Sequence, residues 1–199
     1  VNPLTGLEVE DVKLLERRPL AIKVSNDPRP MRPQWGLNLA DIVYEYYTEW
    51  GKTRFVAIYY GKDAPQVGPM RSARFFDEHI IYMYKAALAF ISADKRVLDH
   101  FYSMDYADRL VTESACPPIC RVDPKMWNHA VTNTRSLSTF ITMLGVANER
   151  QNLEGMGFAH APPDGGEPVK KIFVRYSPYF YARWKYNAES DKYERAQDR

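Results

Sequence analysis

Gly68-Pro69-Met70-Arg71-Ser72-Ala73-Arg74 follows two strand-like runs, Ile42–Tyr47 and 54–60, and opens a stretch with helical spacing. A Gly-Pro turn leading into a helix leaves free backbone N–H groups at the helix start. Two arginines three residues apart there add forked donors suited to phosphate or carboxylate. The combination reads as an anion-binding corner. The competing reading is a pair of surface arginines that neutralise nearby Asp or Glu, since Arg at i and i+3 is common on solvated helices.

Outward from this corner, strands and helices alternate. The run 20–25 is a short apolar strand that enters Asn26-Asp27-Pro28-Arg29-Pro30-Met31-Arg32-Pro33-Gln34. With three prolines that loop belongs on the surface, where Arg29, Arg32 and Gln34 project from a stiffened frame. Residues 42–47 and 53–60 alternate as a hairpin with Glu49-Trp50-Gly51-Lys52 at its turn. Residues 73–86 carry Phe76, Ile80, Met83 and Tyr84 at helical spacing, and 94–104 and 136–144 read as further helices, the last stopped by Gly145. A short buried strand is expected at 88–92.

The Gly/Pro-rich break 161–168 reads as a linker between a first domain, 1–160, and the start of a β-rich second one, 169–199. In that second stretch, 170–176 and 181–186 alternate as an antiparallel pair. The expected fold is therefore α/β, a central mixed sheet flanked by helices, followed by a β-rich unit. The abrupt Val1-Asn2-Pro3 start and the polar, charged run 189–199 read as the trimmed ends of a longer precursor.

At 199 residues, 45% hydrophobic and 26% charged, the chain has the makings of a folded core. A net charge of +2 gives no general pull toward nucleic acid. No apolar run is long enough to span a bilayer. The 14 tyrosines concentrate in strand-like runs, which suits half-exposed sheets or a face for a protein partner. His79, His100, His129 and His160 lack the i, i+4 spacing of zinc hydrolases, and P-loop, G-x-S-x-G and G-x-G-x-x-G motifs are absent.

Cys116 and Cys120 stand in Ala115-Cys-Pro-Pro-Ile-Cys-Arg121. Their spacing is one residue longer than the redox C-x-x-C, and two thiols are too few for a structural zinc site. The preferred reading is a small-loop disulfide in an extracytoplasmic protein; two free thiols in the cytosol are the alternative.

Several motifs in series carry a family resemblance: Pro3-Leu4-Thr5-Gly6-Leu7, Arg32-Pro33-Gln34-x-Gly36-Leu37, Ala40-Asp41-Ile42-Val43-Tyr44-Glu45, Thr53-Arg54-Phe55-x-Ala57-Ile58 and the 68–74 corner. In order and spacing the chain resembles the YerB-like bacterial lipoprotein family, a domain of unknown function. Asn128-His129-x-x-Thr132-Asn133-Thr134 is similar to a later family segment, Pro-His-Asn-x-Tyr-Thr, but departs from it in residue order. The resemblance implies a bacterial envelope protein held to the membrane by a lipidated cysteine upstream of Val1.

A looser similarity, to LytR-CpsA-Psr phosphotransferases, implies a mechanism. By position Asp41 is the Mg²⁺ ligand, Arg71 the pyrophosphate clamp and Arg74 its support, although Ser72 stands where those enzymes place a carboxylate. Asp41 and Glu45 are an even number of residues apart and share a strand face, and Arg54 can cross-pair with Glu45 or Glu49. A solvated charge ladder accounts for the same pattern.

The expectation is thus an extracytoplasmic, lipoprotein-derived domain that binds an anionic envelope ligand through Arg71, Arg74, Arg54, Glu45, Arg32 and Gln34. The alternatives are a Mg²⁺-dependent phosphotransferase on lipid-linked pyrophosphate glycans, with Asp41 as metal ligand, and a protein-interaction module presenting its tyrosines. No nucleic-acid partner is expected.

Overall fold

The strand Leu20–Ser25 (β1) organises the molecule, with every one of its residues buried. In the computed structural model, which describes residues 1–113, 116–123 and 129–198, the chain divides into two units. Unit 1 comprises 1–45 and 54–157; unit 2 comprises 46–53 and 158–199. The architecture is mixed α/β, as the alternation of periods implies.

A five-stranded sheet is built from β1, Ile42–Tyr47 (β2), Thr53–Tyr59 (β3), Ala87–Ala89 (β4) and Leu110–Val111 (β5), in the order β2-β3-β1-β4-β5. β1 runs antiparallel to β3, with Ser25 opposite Arg54 and Leu20 opposite Tyr59, and parallel to β4, which is parallel to β5. The sheet is covered on both faces. Leu20, Ile22 and Val24 of β1 join Phe55, Ala57 and Tyr59 of β3 in a core closed by Leu137 and Ile141 of the helix Thr134–Met143 (α3). Ile119 and Ala130, from the two-stranded pair Ile119–Arg121 (β6) and Ala130–Thr132 (β7), complete that core. Full burial of each such aliphatic side chain contributes roughly 1.5–3 kcal/mol.

The opposite face of β1 carries Ala21, Lys23 and Ser25, because side chains alternate along a strand. It is covered by the helix Asp77–Tyr84 (α1), which buries Ile80, Ile81 and Tyr84. The helix Lys95–Tyr102 (α2) adds Phe101, whose ring meets Phe90 edge-on at 6.4 Å and Tyr106 at 5.8 Å.

Side chains set the helix ends. Asp77 Oδ2 accepts from the Arg74 amide at 2.8 Å, Asp94 caps α2 through the Arg96 amide at 3.0 Å, and Asn133 caps α3 through the Ser136 amide at 3.0 Å. α1 is shorter than the expected 73–86: it starts at Asp77, and Lys85 in the left-handed region (φ 49°) closes it. The short strand at the end of α1 spans Ala87–Ala89, where 88–92 is expected from the sequence.

Unit 2 contains a three-stranded antiparallel sheet of Lys171–Arg175 (β8), Tyr181–Asn187 (β9) and Lys192–Gln197 (β10), in the order β10-β9-β8. The polar run after β9, read from sequence as a trailing end, is thus largely a strand. Unit 2 also takes in the hairpin tip 46–53, which the linear scheme assigns to the first domain. There Gly51 sits at φ 71°, and an added Cβ would lie 3.0 Å from that of Ser177.

Candidate functional site

β1 and β4 are paired from Leu20 and Ala87 up to Ile22 and Ala89. Beyond that point the segment 69–73 fills the space between them. On the β1 side the Ser25 amide donates to Pro69 O at 2.8 Å, the Arg71 amide donates to Lys23 O at 3.0 Å, and Val24 bridges Met70. On the other side the Ile91 amide donates to Arg71 O at 3.2 Å and the Ala73 amide to Ser92 O at 2.8 Å. The Gly-Pro corner is therefore a wedge of extended chain between two diverging parallel strands. It is not the first turn of a helix: Phe75 and Phe76 separate Arg74 from α1, and the Asp77 carboxylate accepts from the Arg74 amide. Gly68 is needed at its entrance, where an added Cβ would meet Ala130 O at 2.9 Å.

The wedge brings the expected arginines to one end of the sheet. Arg54, opposite Ser25 on β3, donates through Nη1 to Ser72 O at 2.7 Å, and Arg74 donates through Nη1 to Ala73 O at 2.7 Å. Arg54, Arg71 and Arg74 are all half-buried. Beneath them Lys23 Nζ pairs with Asp77 Oδ1 at 3.0 Å, both side chains being wholly shielded from water. Burial lowers the Lys23 ammonium to about 8 against the pull of Asp77, and Arg54 and Arg74 push it the same way.

A second set of contacts frames the same end of β1. Gln34 Nε2 donates to Ser25 O at 3.1 Å and to Asn26 Oδ1 at 3.0 Å, and Arg32 donates through Nη2 to Asn26 O at 2.9 Å. Asn26 Nδ2 in turn donates to Glu45 Oε1 at 3.2 Å. The proline-rich loop is thereby fastened to the strand end, with Met31 buried beneath it. Arg32, Gln34, Glu45, Arg54, Arg71 and Arg74, named from sequence as one group, all lie in contacts at this end of the sheet.

Residues 4–147 match the model of a family described as "Protein of unknown function (DUF3048) N-terminal domain". The chain belongs to the DUF3048 family. Over 72 residues it is 53% identical to a protein of Bacillus subtilis (strain 168) named "Putative lipoprotein YerB", an alignment covering 36% of this chain and 21% of that one. The crystal structure of YerB from Bacillus subtilis has the same fold, with a TM-score of 0.84 at 24% identity, covering 99% of this chain and 66% of the other. The aligned region thus spans only about a fifth of YerB by sequence, and the chain about two thirds of the YerB structure. No such finding links the chain to the LytR-CpsA-Psr enzymes.

The DUF3048 match encloses every residue of the site from Lys23 to Asp77. It also encloses Asp41, which the structure places elsewhere. Asp41 Oδ2 accepts from the Tyr60 amide at 2.5 Å and the Gly61 amide at 3.0 Å, and Oδ1 accepts from Asn2 Nδ2 at 2.8 Å. These partners stand at the end of β3 remote from Arg54, six residues and roughly 20 Å along the strand. Glu45 lies four residues on from Asp41, roughly 13 Å along β2. Asp41, the metal ligand of the phosphotransferase reading, is instead hydrogen-bonded at the sheet's other end. Among the described residues there is no group of three or more His, Cys, Asp or Glu side chains arranged to hold a metal ion.

Cys116 and Cys120 form a disulfide, with Cα atoms 4.8 Å apart. His129 sits edge-on to Trp35 at 6.4 Å, while Asn128, the start of its motif, lies outside the described residues. The site residue that the sequence did not announce is Lys23; Asp77 is open from sequence as a partner of the arginines, and it accepts from the Arg74 amide. A lone lysine within Leu-Ala-Ile-Lys-Val-Ser is the one available signal, because a strand buried on both faces tolerates a cation only with a partner.

Proposed function

We propose that this DUF3048 domain is the ligand-binding part of an envelope lipoprotein and takes an anionic group at the wedge between β1 and β4. Arg71 and Arg74 supply the charge, Arg54 braces the wedge from β3, and Arg32, Gln34 and Glu45 shape the rim. The observation that carries the reading is the convergence of Arg54, Arg71 and Arg74 on a main chain hydrogen-bonded to both flanking strands. In open α/β sheets the carboxyl ends of diverging parallel strands are where ligands bind. Arginines held by backbone acceptors lose little freedom when they grip phosphate or carboxylate.

Two further observations support the envelope setting. The disulfide suits an oxidising compartment. The lipoprotein name of the Bacillus subtilis relative supports a lipid-anchored, extracytoplasmic location. Among the described residues no helix is long and apolar enough to cross a membrane.

The test is calorimetric titration of wild type and Arg71→Ala with a short prenyl pyrophosphate and with inorganic pyrophosphate, each with and without Mg²⁺. Loss of one charge-assisted contact should weaken binding by about tenfold or more. Absence of heat with every ligand, in a protein that melts cooperatively, overturns the anion-site reading.

A further inference from the structure

The three-stranded sheet of unit 2 has one face on which cations outnumber acids. The register puts Lys171 opposite Lys185, and Lys185 opposite Glu194. Strand alternation adds Arg175, Arg183 and Lys192 to the same face. All of these side chains are exposed. Like charges directly across a ladder are destabilising, so Lys171 opposite Lys185 is a cost to the isolated sheet. Glu194, opposite Lys185, forms no ion pair with it, and its Oε1 accepts from Asn187 Nδ2 at 2.6 Å. Among the described residues, Lys171, Lys185 and Lys192 make no ion pair.

Aromatic rings stand among these cations. Phe173 is 57% exposed and its ring lies 5.2 Å from that of Tyr181, over which the Arg183 guanidinium sits at 5.8 Å. A shallow hollow of about 410 Å³ opens between Phe173, Lys185 and Glu194. At one end of β8 the turn residue Tyr179 is 73% exposed, and at the other Val169 is 47% exposed.

We propose that this face of β8, β9 and β10 docks on an anionic bilayer surface, an interaction separate from the anion site of unit 1. The cations are spread over a patch roughly 13 Å by 10 Å, with no single line of charge for a linear polyanion to follow. A sheet of lipid headgroups offers negative charge in two dimensions. Phe173 and Tyr179 also gain from an interface, where aromatic rings settle at headgroup level. Basic residues close to an anionic leaflet each strengthen binding by about fivefold, an effect that salt screens within a Debye length.

The experiment is co-sedimentation of the full chain with phosphatidylcholine vesicles containing about one third phosphatidylglycerol, against pure phosphatidylcholine. Wild type should bind the anionic vesicles only and be released by salt. Lys171→Gln with Lys185→Gln should weaken binding by about 25-fold. The same pair should melt no lower than wild type, because it removes a like-charge pair, so lost binding cannot be charged to unfolding. Phe173→Ser should weaken vesicle binding without altering its salt dependence. No binding to anionic vesicles overturns the proposal, as does binding that the lysine pair leaves unchanged. Polyphosphate or a single-stranded oligonucleotide bound in solution, with vesicles ignored, reassigns the face to a soluble polyanion and overturns it equally.

Discussion

Lys23 Nζ lies 3.0 Å from Asp77 Oδ1, with neither side chain exposed to water. The pair joins the central strand to the first residue of α1, while Asp77 Oδ2 holds the Arg74 amide. Removing one member leaves a buried charge uncompensated. Lys23→Met should therefore lower the unfolding free energy by about 3–5 kcal/mol, measured by urea denaturation at neutral pH.

The same lysine makes stability depend on alkaline pH. Its ammonium is lowered from 10.5 to about 8 in the folded chain, chiefly by burial. Between those values the unfolded chain binds more protons than the folded one, so stability rises with pH. The contribution is present above the unfolded value and is lost as pH falls through 8. Wild type compared with Lys23→Met should thus gain stability from pH 8 to pH 10. A difference between the two that stays flat across this window contradicts the assignment.

Asp41 is a sheet cap in this structure, and its loss should be read in stability. Asp41→Ala strands the Tyr60 and Gly61 amides and should cost about 1–3 kcal/mol, equally with and without Mg²⁺. A magnesium-dependent thermal shift in wild type that disappears in Asp41→Ala would restore the metal-ligand reading.

Arg54 braces the wedge through Ser72 O. Arg54→Ala should speed hydrogen exchange at the Ala73 amide and weaken pyrophosphate binding about tenfold or more. Arg54→Lys should recover only part of this, because an ammonium cannot reproduce the guanidinium's forked geometry. Unchanged exchange at Ala73 would show that the wedge holds without its brace.

The Cys116–Cys120 bridge closes a very short loop, so its stabilisation is small. Cys116→Ser with Cys120→Ser should cost no more than about 2 kcal/mol, visible as a modest fall in melting temperature.

The strands β1, β2 and β3 were legible because their signal is local, whereas the two-residue β5 was not read. Ile42–Tyr47 and the run from Thr53 alternate, and Glu49-Trp50-Gly51-Lys52 marks their turn. The start of α1 was not. Phe76, Ile80 and Tyr84 share one helical stripe that runs back without a break into Arg74 and Ala73. What stops the helix at Asp77 is a bond from its carboxylate to the Arg74 amide, with the preceding residues drawn into bridges to Lys23 and Ser92. Those partners lie some 20 to 50 residues away in sequence, beyond any periodicity. The site was legible as a set of arginines for the opposite reason: its motif residues happen to lie at strand ends on one side of the sheet. Asp41 shows the limit of that reasoning, since strand parity fixes which face a residue takes and says nothing about which end of the sheet it reaches.

Unit 2 is assembled from 46–53 and 158–199, two stretches with most of unit 1 between them in sequence. It is therefore not a cassette. A single scission after Gly157 would yield two fragments, neither of which carries a whole second unit, and no contiguous excision of the gene transfers it to another protein. A recombination that moves residues 158–199 alone leaves 46–53 of unit 2 behind.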